Sequence, residues 1–133
     1  MPIETNKKHA YLIMAHNKPE QLALLIDLLD DERNDIYIHI DKKAKGFDKS
    51  SFSARYSSLI FVKRMSVIWG GDSMIKCELR LFEAAARGHY AYYHLLSGVD
   101  MPIKTQDEIH SFFEANCGKN FIDIDQKALS NRE

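Results

Sequence analysis

Cysteine is scarce in this sequence, and the two residues present, Cys77 and Cys117, form no CxxC pair and no Cys/His spacing suited to zinc. That rules out reading a disulfide framework or a zinc ribbon from spacing. Both read as reduced thiols, the state expected of a cytoplasmic chain. Long apolar runs are missing too: nothing approaches the roughly 20 residues of a bilayer-spanning helix, and the N-terminal MPIETNKKHA has no apolar signal core. The chain as given is expected to be soluble. Nor is there a surplus of either charge, since 18 basic residues face 19 acidic ones for a net charge of −1. Such a balance gives no electrostatic footprint for nucleic acid or an anionic membrane. Phosphate-cradling and nucleophile signatures are absent as well, with no P-loop, GxGxxG, GxSxG or suitably placed Cys–His pair.

What is present suits one globular domain over residues 1–133, because 45% of the residues are hydrophobic, enough for a core. His9–Ala15, HAYLIMA, is a continuous apolar run typical of a strand covered on both faces. A helix follows, with Asn17 as cap, Pro19 at an early position, Glu20 at capping-box spacing, and Leu22, Leu25, Ile26 and Leu29 on one face. Asp35–Asp41 alternates Ile36, Ile38 and Ile40 against Tyr37 and His39, which is strand periodicity. Residues 42–58 read as loop with a short helix around Phe52 and Tyr56, SLIFV as a short strand, and KRMSVIW as an extended lead into Gly70 and Gly71. Asp72 or Ser73 then caps a long helix ending at Gly88, with Ile75, Leu79, Phe82 and Ala86 on one face. Tyr90–Ser97 is the next strand, Thr105 and Glu108 supply a capping box for a helix carrying Ile109, Phe112 and Phe113, and NFIDI is a last strand after Gly118. Buried strands alternating with amphipathic helices predict a three-layer α/β/α domain with a largely parallel sheet.

Ligands of such sheets sit beyond the carboxyl ends of the strands. The candidates are therefore His16 and Asn17, Asp41, the stretch Trp69–Asp72, and Ser97–Asp100. Asp41 could accept hydrogen bonds from a base or a ribose hydroxyl, or cap a turn. Trp69 beside Gly70 and Gly71 could stack on a base while bare backbone admits phosphate, or could be a buried ring in a tight turn. Asp100 could face a ligand beside Gly98 or close an Asx turn. Asp123 and Asp125 resemble paired metal-holding carboxylates but have no third partner nearby and read as solvent-exposed. His39 and His94 read as packing or hydrogen-bonding residues, and no metal site is expected.

Together, YLIMAHNKPEQL, IYIHIDKKA, SVIWGGDSMIKCEL and YYHLLSGVDMPIKTQDEIHSFF resemble the Core-2/I-branching glycosyltransferase family, glycosyltransferase family 14, in order from about His9 to Ile122. The resemblance implies a GT-A-like fold and inverting, metal-independent transfer of N-acetylglucosamine, or xylose in related enzymes, from a UDP-sugar to a carbohydrate hydroxyl, with no cofactor. Family members are often membrane-associated. By position it implies that His16 and Asp41 belong to a uridine pocket, that Trp69 and Gly70 lie near the uracil, and that Ser97, Gly98 and Asp100 form the donor-site turn. The family's catalytic base and diphosphate-neutralising residues lie further downstream, so no catalytic residue is assigned here and the 133-residue chain reads as the N-terminal, donor-binding part of a longer enzyme. It would then dock a C-terminal half or dimerise. The alternative is a non-catalytic nucleotide-binding or protein-interaction module.

Overall fold

The computed structural model describes residues 6–116. β1 (Asn6–Ala15), α1 (Pro19–Leu29), β2 (Asn34–Ile40), a 3-10 turn at Lys49–Ser51, β3 (Leu59–Phe61), α2 (Asp72–Ala86), β4 (Tyr90–Ser97) and α3 (Gln106–Ala115) follow in that order. The strands form one sheet in the order β3-β2-β1-β4, and every pairing is parallel. Cys117, the expected strand NFIDI, Asp123 and Asp125 lie outside the described residues.

Both faces of the central strands are covered, which is why HAYLIMA carries no polar alternation. Tyr11, Ile13, Ala15, Ile36, Ile38 and Ile40 pack beneath Leu22, Leu25, Ile26 and Leu29 of α1. Ala10, Leu12, Met14 and Tyr37 face the other way, against Cys77, Leu81 and Ala85 of α2. The Ile/Tyr/His alternation of β2 thus sorts side chains between two helical layers, and the whole strand is buried. The result is the expected α/β/α sandwich, GT-A-like in its parallel sheet. Among the described residues no helix is long and apolar enough to cross a membrane.

Several local expectations change. Pro19 is the first residue of α1, so Lys18, at φ 53° and with no side-chain cap, occupies the capping position rather than Asn17. Proline fixes the helical φ and needs no donor partner, which sets the start of the helix by itself. Gly71 caps α2 through its backbone, and neither Asp72 nor Ser73 does so. The helix ends at Ala86, with the left-handed residue at His89 rather than at Gly88. The face of α2 that meets the sheet is Cys77, Leu81 and Ala85, whereas Ile75 and Leu79 are 59% and 61% exposed. The apolar stripe of Ile75, Leu79, Phe82 and Ala86 therefore faces away from the core. The capping box at Thr105 and Glu108 forms as expected.

Candidate functional site

The order β3-β2-β1-β4 makes the chain leave β1 toward β2 through α1, while β4 lies on the other side of β1. The carboxyl end of β1 is thus the point where connections diverge, the place where open α/β sheets bind ligands. Gly98 N–H donates to Met14 O at 2.9 Å, and Asp41 N–H to Ala15 O at 2.9 Å, so the ends of β4 and β2 are both tied to the end of β1. Gln21 of α1 closes the same rim by donating from Nε2 to Val99 O at 2.9 Å.

His16, Asp41 and Trp69 are brought together around one small hollow on the α2 side of the sheet, with Met14, Ala15, His39 and Val67 completing its wall. The rings of His16 and Trp69 meet edge to face, 4.9 Å between centroids. Trp69 is 49% exposed, so it is not a core tryptophan. Asp41 is buried at 6% exposure, accepts the backbone N–H of Lys43 at 3.1 Å, and lies 3.8 Å from the Lys43 amine. It is a turn carboxylate, but one turned inward toward the hollow rather than out to water. Gly70, at φ +80° and with open space where a Cβ would stand, makes the turn that follows Trp69.

Ser97, Gly98 and Asp100 form a second group at the end of β4. The Asp100 carboxylate accepts Ser97 N–H at 2.7 Å, and Ser97 Oγ accepts Val99 N–H at 3.3 Å. Asp100 thus shapes its own turn. A Cβ on Gly98 would stand 3.0 Å from the Ala15 side chain, so this glycine lets β4 approach β1 rather than making room for a ligand. Among the described residues no hydrogen bond links this turn to His16 or Asp41; the two groups share an end of the sheet.

Sequence reasoning read His39 as a hydrogen-bonding residue but did not find the grip that it shares with Arg64 and Lys43 on the wall of the hollow. Arg64 donates to the carbonyls of Asp41 at 2.7 Å and Ala44 at 2.9 Å, Lys43 donates to Val67 O at 2.8 Å, and His39 Nε2 accepts Met65 N–H at 2.9 Å. These bonds run from side chain to backbone across 20 or more residues, and no short motif announces them. The adjacency of His39 to Asp41 in HIDKKA was the available signal. A larger hollow of about 470 Å³ lies at the opposite, amino end of the sheet among Asp30, Asp31, Glu32, Arg33, Tyr56 and Asp107, where Arg33 is already paired to both Asp31 and Asp107. Among the described residues no group of three or more His, Cys, Asp or Glu side chains is placed to hold a metal ion.

A parallel sheet covered on both faces, with its polar cluster past the carboxyl ends of β1 and β2, defines a GT-A-like α/β domain of the kind built around a ligand at that rim. The family model of the Core-2/I-branching enzymes matches residues 9–133, and the chain belongs to that family. Over 121 residues it is 29% identical to xylosyltransferase 2 of Canis lupus familiaris and equally to that of Homo sapiens, and over 119 residues 28% identical to xylosyltransferase oxt of Drosophila melanogaster. These matches cover 85% of this chain but 14% of each relative, so the chain spans only a small part of the length of these proteins.

Proposed function

We propose that this chain is the donor-nucleotide-binding part of an inverting glycosyltransferase, one that moves a sugar from a UDP-sugar to a carbohydrate hydroxyl without a metal. The observation that carries the reading is the half-exposed Trp69, set edge-on to His16 above the buried Asp41 at the switch point of the sheet. An exposed indole offers a face on which a uracil can stack, a contact worth roughly 1–3 kcal/mol for a base on an aromatic ring. On this reading the Asp41 carboxylate accepts from a base N–H or a ribose hydroxyl, and its burial beside the hollow supports that role. Neither contact requires a cation.

In inverting transfer the acceptor oxygen attacks the anomeric carbon as the bond to the UDP oxygen breaks, with a base removing the acceptor proton. The base and the groups that neutralise the departing diphosphate are not assigned to residues of this chain. Xylose, from the names of the relatives, stands beside N-acetylglucosamine as the sugar to test.

Calorimetry with UDP in the presence of a chelator tests the reading. The expected result is binding by the wild-type chain that Trp69→Ala weakens about tenfold or more, with a melting temperature that moves little because the ring is outside the core. Binding only after Mn²⁺ is added would refute metal independence. A large loss of stability with affinity per folded molecule unchanged would return Trp69 to a structural role.

A further inference from the structure

Between the end of β3 at Phe61 and the cap of α2 at Gly71, the backbone belongs to no strand or helix. The last sheet-like bond is Val62 N–H to Ile38 O at 3.0 Å. Beyond it, side chains take over from the ladder. Arg64 reaches back to the Asp41 and Ala44 carbonyls, Lys43 holds Val67 O, and Ser73 Oγ accepts Ile68 N–H at 2.8 Å. Met65 is gripped from both sides, its carbonyl accepting Lys42 N–H at 3.1 Å and its N–H donating to His39 Nε2 at 2.9 Å. His39 is 1% exposed, the next-to-last residue of β2, and the most deeply buried of the side chains that grip this segment.

We propose that His39 is a positioning residue of the nucleotide pocket, its neutral imidazole holding the Met65 backbone so that Trp69 stands over Asp41 and faces the ligand. The proposal rests on the nucleotide-binding reading above. The bond from Met65 N–H requires a lone pair on Nε2, which leaves the ring proton on Nδ1. A second proton removes that lone pair and sets two donors against each other. The groups around the ring are Asp41 at the end of β2, which favours protonation, and Arg64 of the segment and Arg80 of α2, which oppose it. His16 of the β1 end shares the hollow, Lys43 sits beside Asp41, and the Cys77 thiol of α2 is pushed up to about 11 by burial and stays neutral. Burial is the largest influence on His39 and keeps it neutral below its ordinary value of 6.5. The grip is therefore complete at neutral pH and lost on acidification.

Trp69 is the only tryptophan of the chain, so its fluorescence reports the segment directly. The experiment compares wild type, His39→Gln, which keeps an acceptor where Nε2 stands but does not titrate, and His39→Leu, which removes it. At pH 8 with a chelator, UDP affinity is expected to be within about twofold of wild type for His39→Gln and about tenfold weaker for His39→Leu, the size of one lost hydrogen bond. From pH 8 to pH 5 wild type loses affinity beyond what His39→Gln loses; titration of the UDP phosphate is common to both and cancels. Equal losses in the two variants, or none in either, overturn the proposal. Acrylamide quenching of Trp69 without nucleotide separates this question from the function. If wild type fails to bind UDP, the nucleotide reading falls, while quenching that rises in His39→Leu and not in His39→Gln still upholds the positioning role, and identical quenching in all three removes it. Should His39→Leu not fold, the ligand-free emission of wild type and His39→Gln across the same pH range decides: acid-induced change confined to wild type supports the proposal, and parallel behaviour overturns it.

Discussion

Tyr11 lies in the middle of β1, 3% exposed, with His94 stacked on its ring at 4.5 Å and, among the described residues, no hydrogen-bond partner for its buried hydroxyl. Burial, and secondarily the charge of Asp31, pushes that hydroxyl up to about 12, so it stays a neutral donor. An unsatisfied buried polar atom carries its full desolvation cost of about 1–3 kcal/mol. Tyr11→Phe removes the atom and keeps the ring, and it is expected to raise stability by about 1 kcal/mol in urea titration; a loss of similar size would mean that the hydroxyl has a role the geometry does not reveal. Residue-level reading of the sequence did well where side-chain chemistry alone decides, as with His39 and His94 as hydrogen-bonding rather than ligating histidines. It did less well at Gly98, whose need for a missing Cβ comes from Ala15, 83 positions away in sequence and in contact only after β4 pairs with β1.

α3 is the least embedded of the helices, with no fully buried residue. It is held to the sheet by ring contacts and by hydrogen bonds of Gln106 and His110 with Asn34. His110 sits 4.0 Å from His9 centroid to centroid, His9 Nδ1 and His94 Nε2 share a proton across 3.0 Å, and Phe113 packs against His94 and Tyr92. Burial lowers all three histidines, with His9 brought to about 3 and His94 to about 4, and neighbouring imidazoles add to the effect at His9 and His94. Arg33 opposes protonation of His9 and His110, while Asp31 and Asp107 favour it at His110. The folded values lie below the unfolded value of 6.5, so below that pH the unfolded chain binds more protons than the folded one. Stability is therefore at its full level above pH 6.5 and falls between there and about pH 3, by an amount on the order of a few kcal/mol. Hydrogen exchange should show α3 amides opening at pH 5 before those of β1 and β2 do; protection of α3 that stays level from pH 7.5 to pH 4.5 would rule this out. The capping box at Thr105 was legible because it is a four-residue pattern. The histidine cluster was not, since its members come from β1, β4 and α3.

Among the described residues, α2 carries an apolar stripe on the side turned away from the core. Leu81 of α2 is fully buried, while Leu79 on the same helix is 61% exposed, with Ile75 and Phe82 beside it and Tyr93 of β4 6.0 Å from the Phe82 ring. Both leucines carry the same hydrophobic content and only one of them contributes to the core. Leu81→Ala is expected to destabilise the chain by about 2–5 kcal/mol. Leu79→Lys should shift stability by no more than about 0.5 kcal/mol while raising solubility. Thermal melts of the two variants check this, and a loss at Leu79→Lys comparable to that at Leu81→Ala would place the stripe inside a packed interface.

The strands, the helices and their parallel alternation were readable because hydrophobic periodicity and capping are local, and burial on both faces leaves a continuous apolar run. Position at strand ends was enough to select His16, Asp41 and Trp69, which the fold gathers around one hollow. Which stripe of α2 turns inward was a different matter, because two apolar stripes compete on that helix and the rotation is chosen by where the crossover lays it across β1 and β2. The same holds for the grip of His39, Lys43 and Arg64 on the segment before Trp69. Those bonds join residues that meet only when β3 has paired beside β2, so the chemistry of each side chain was written in the chain and its partner was not.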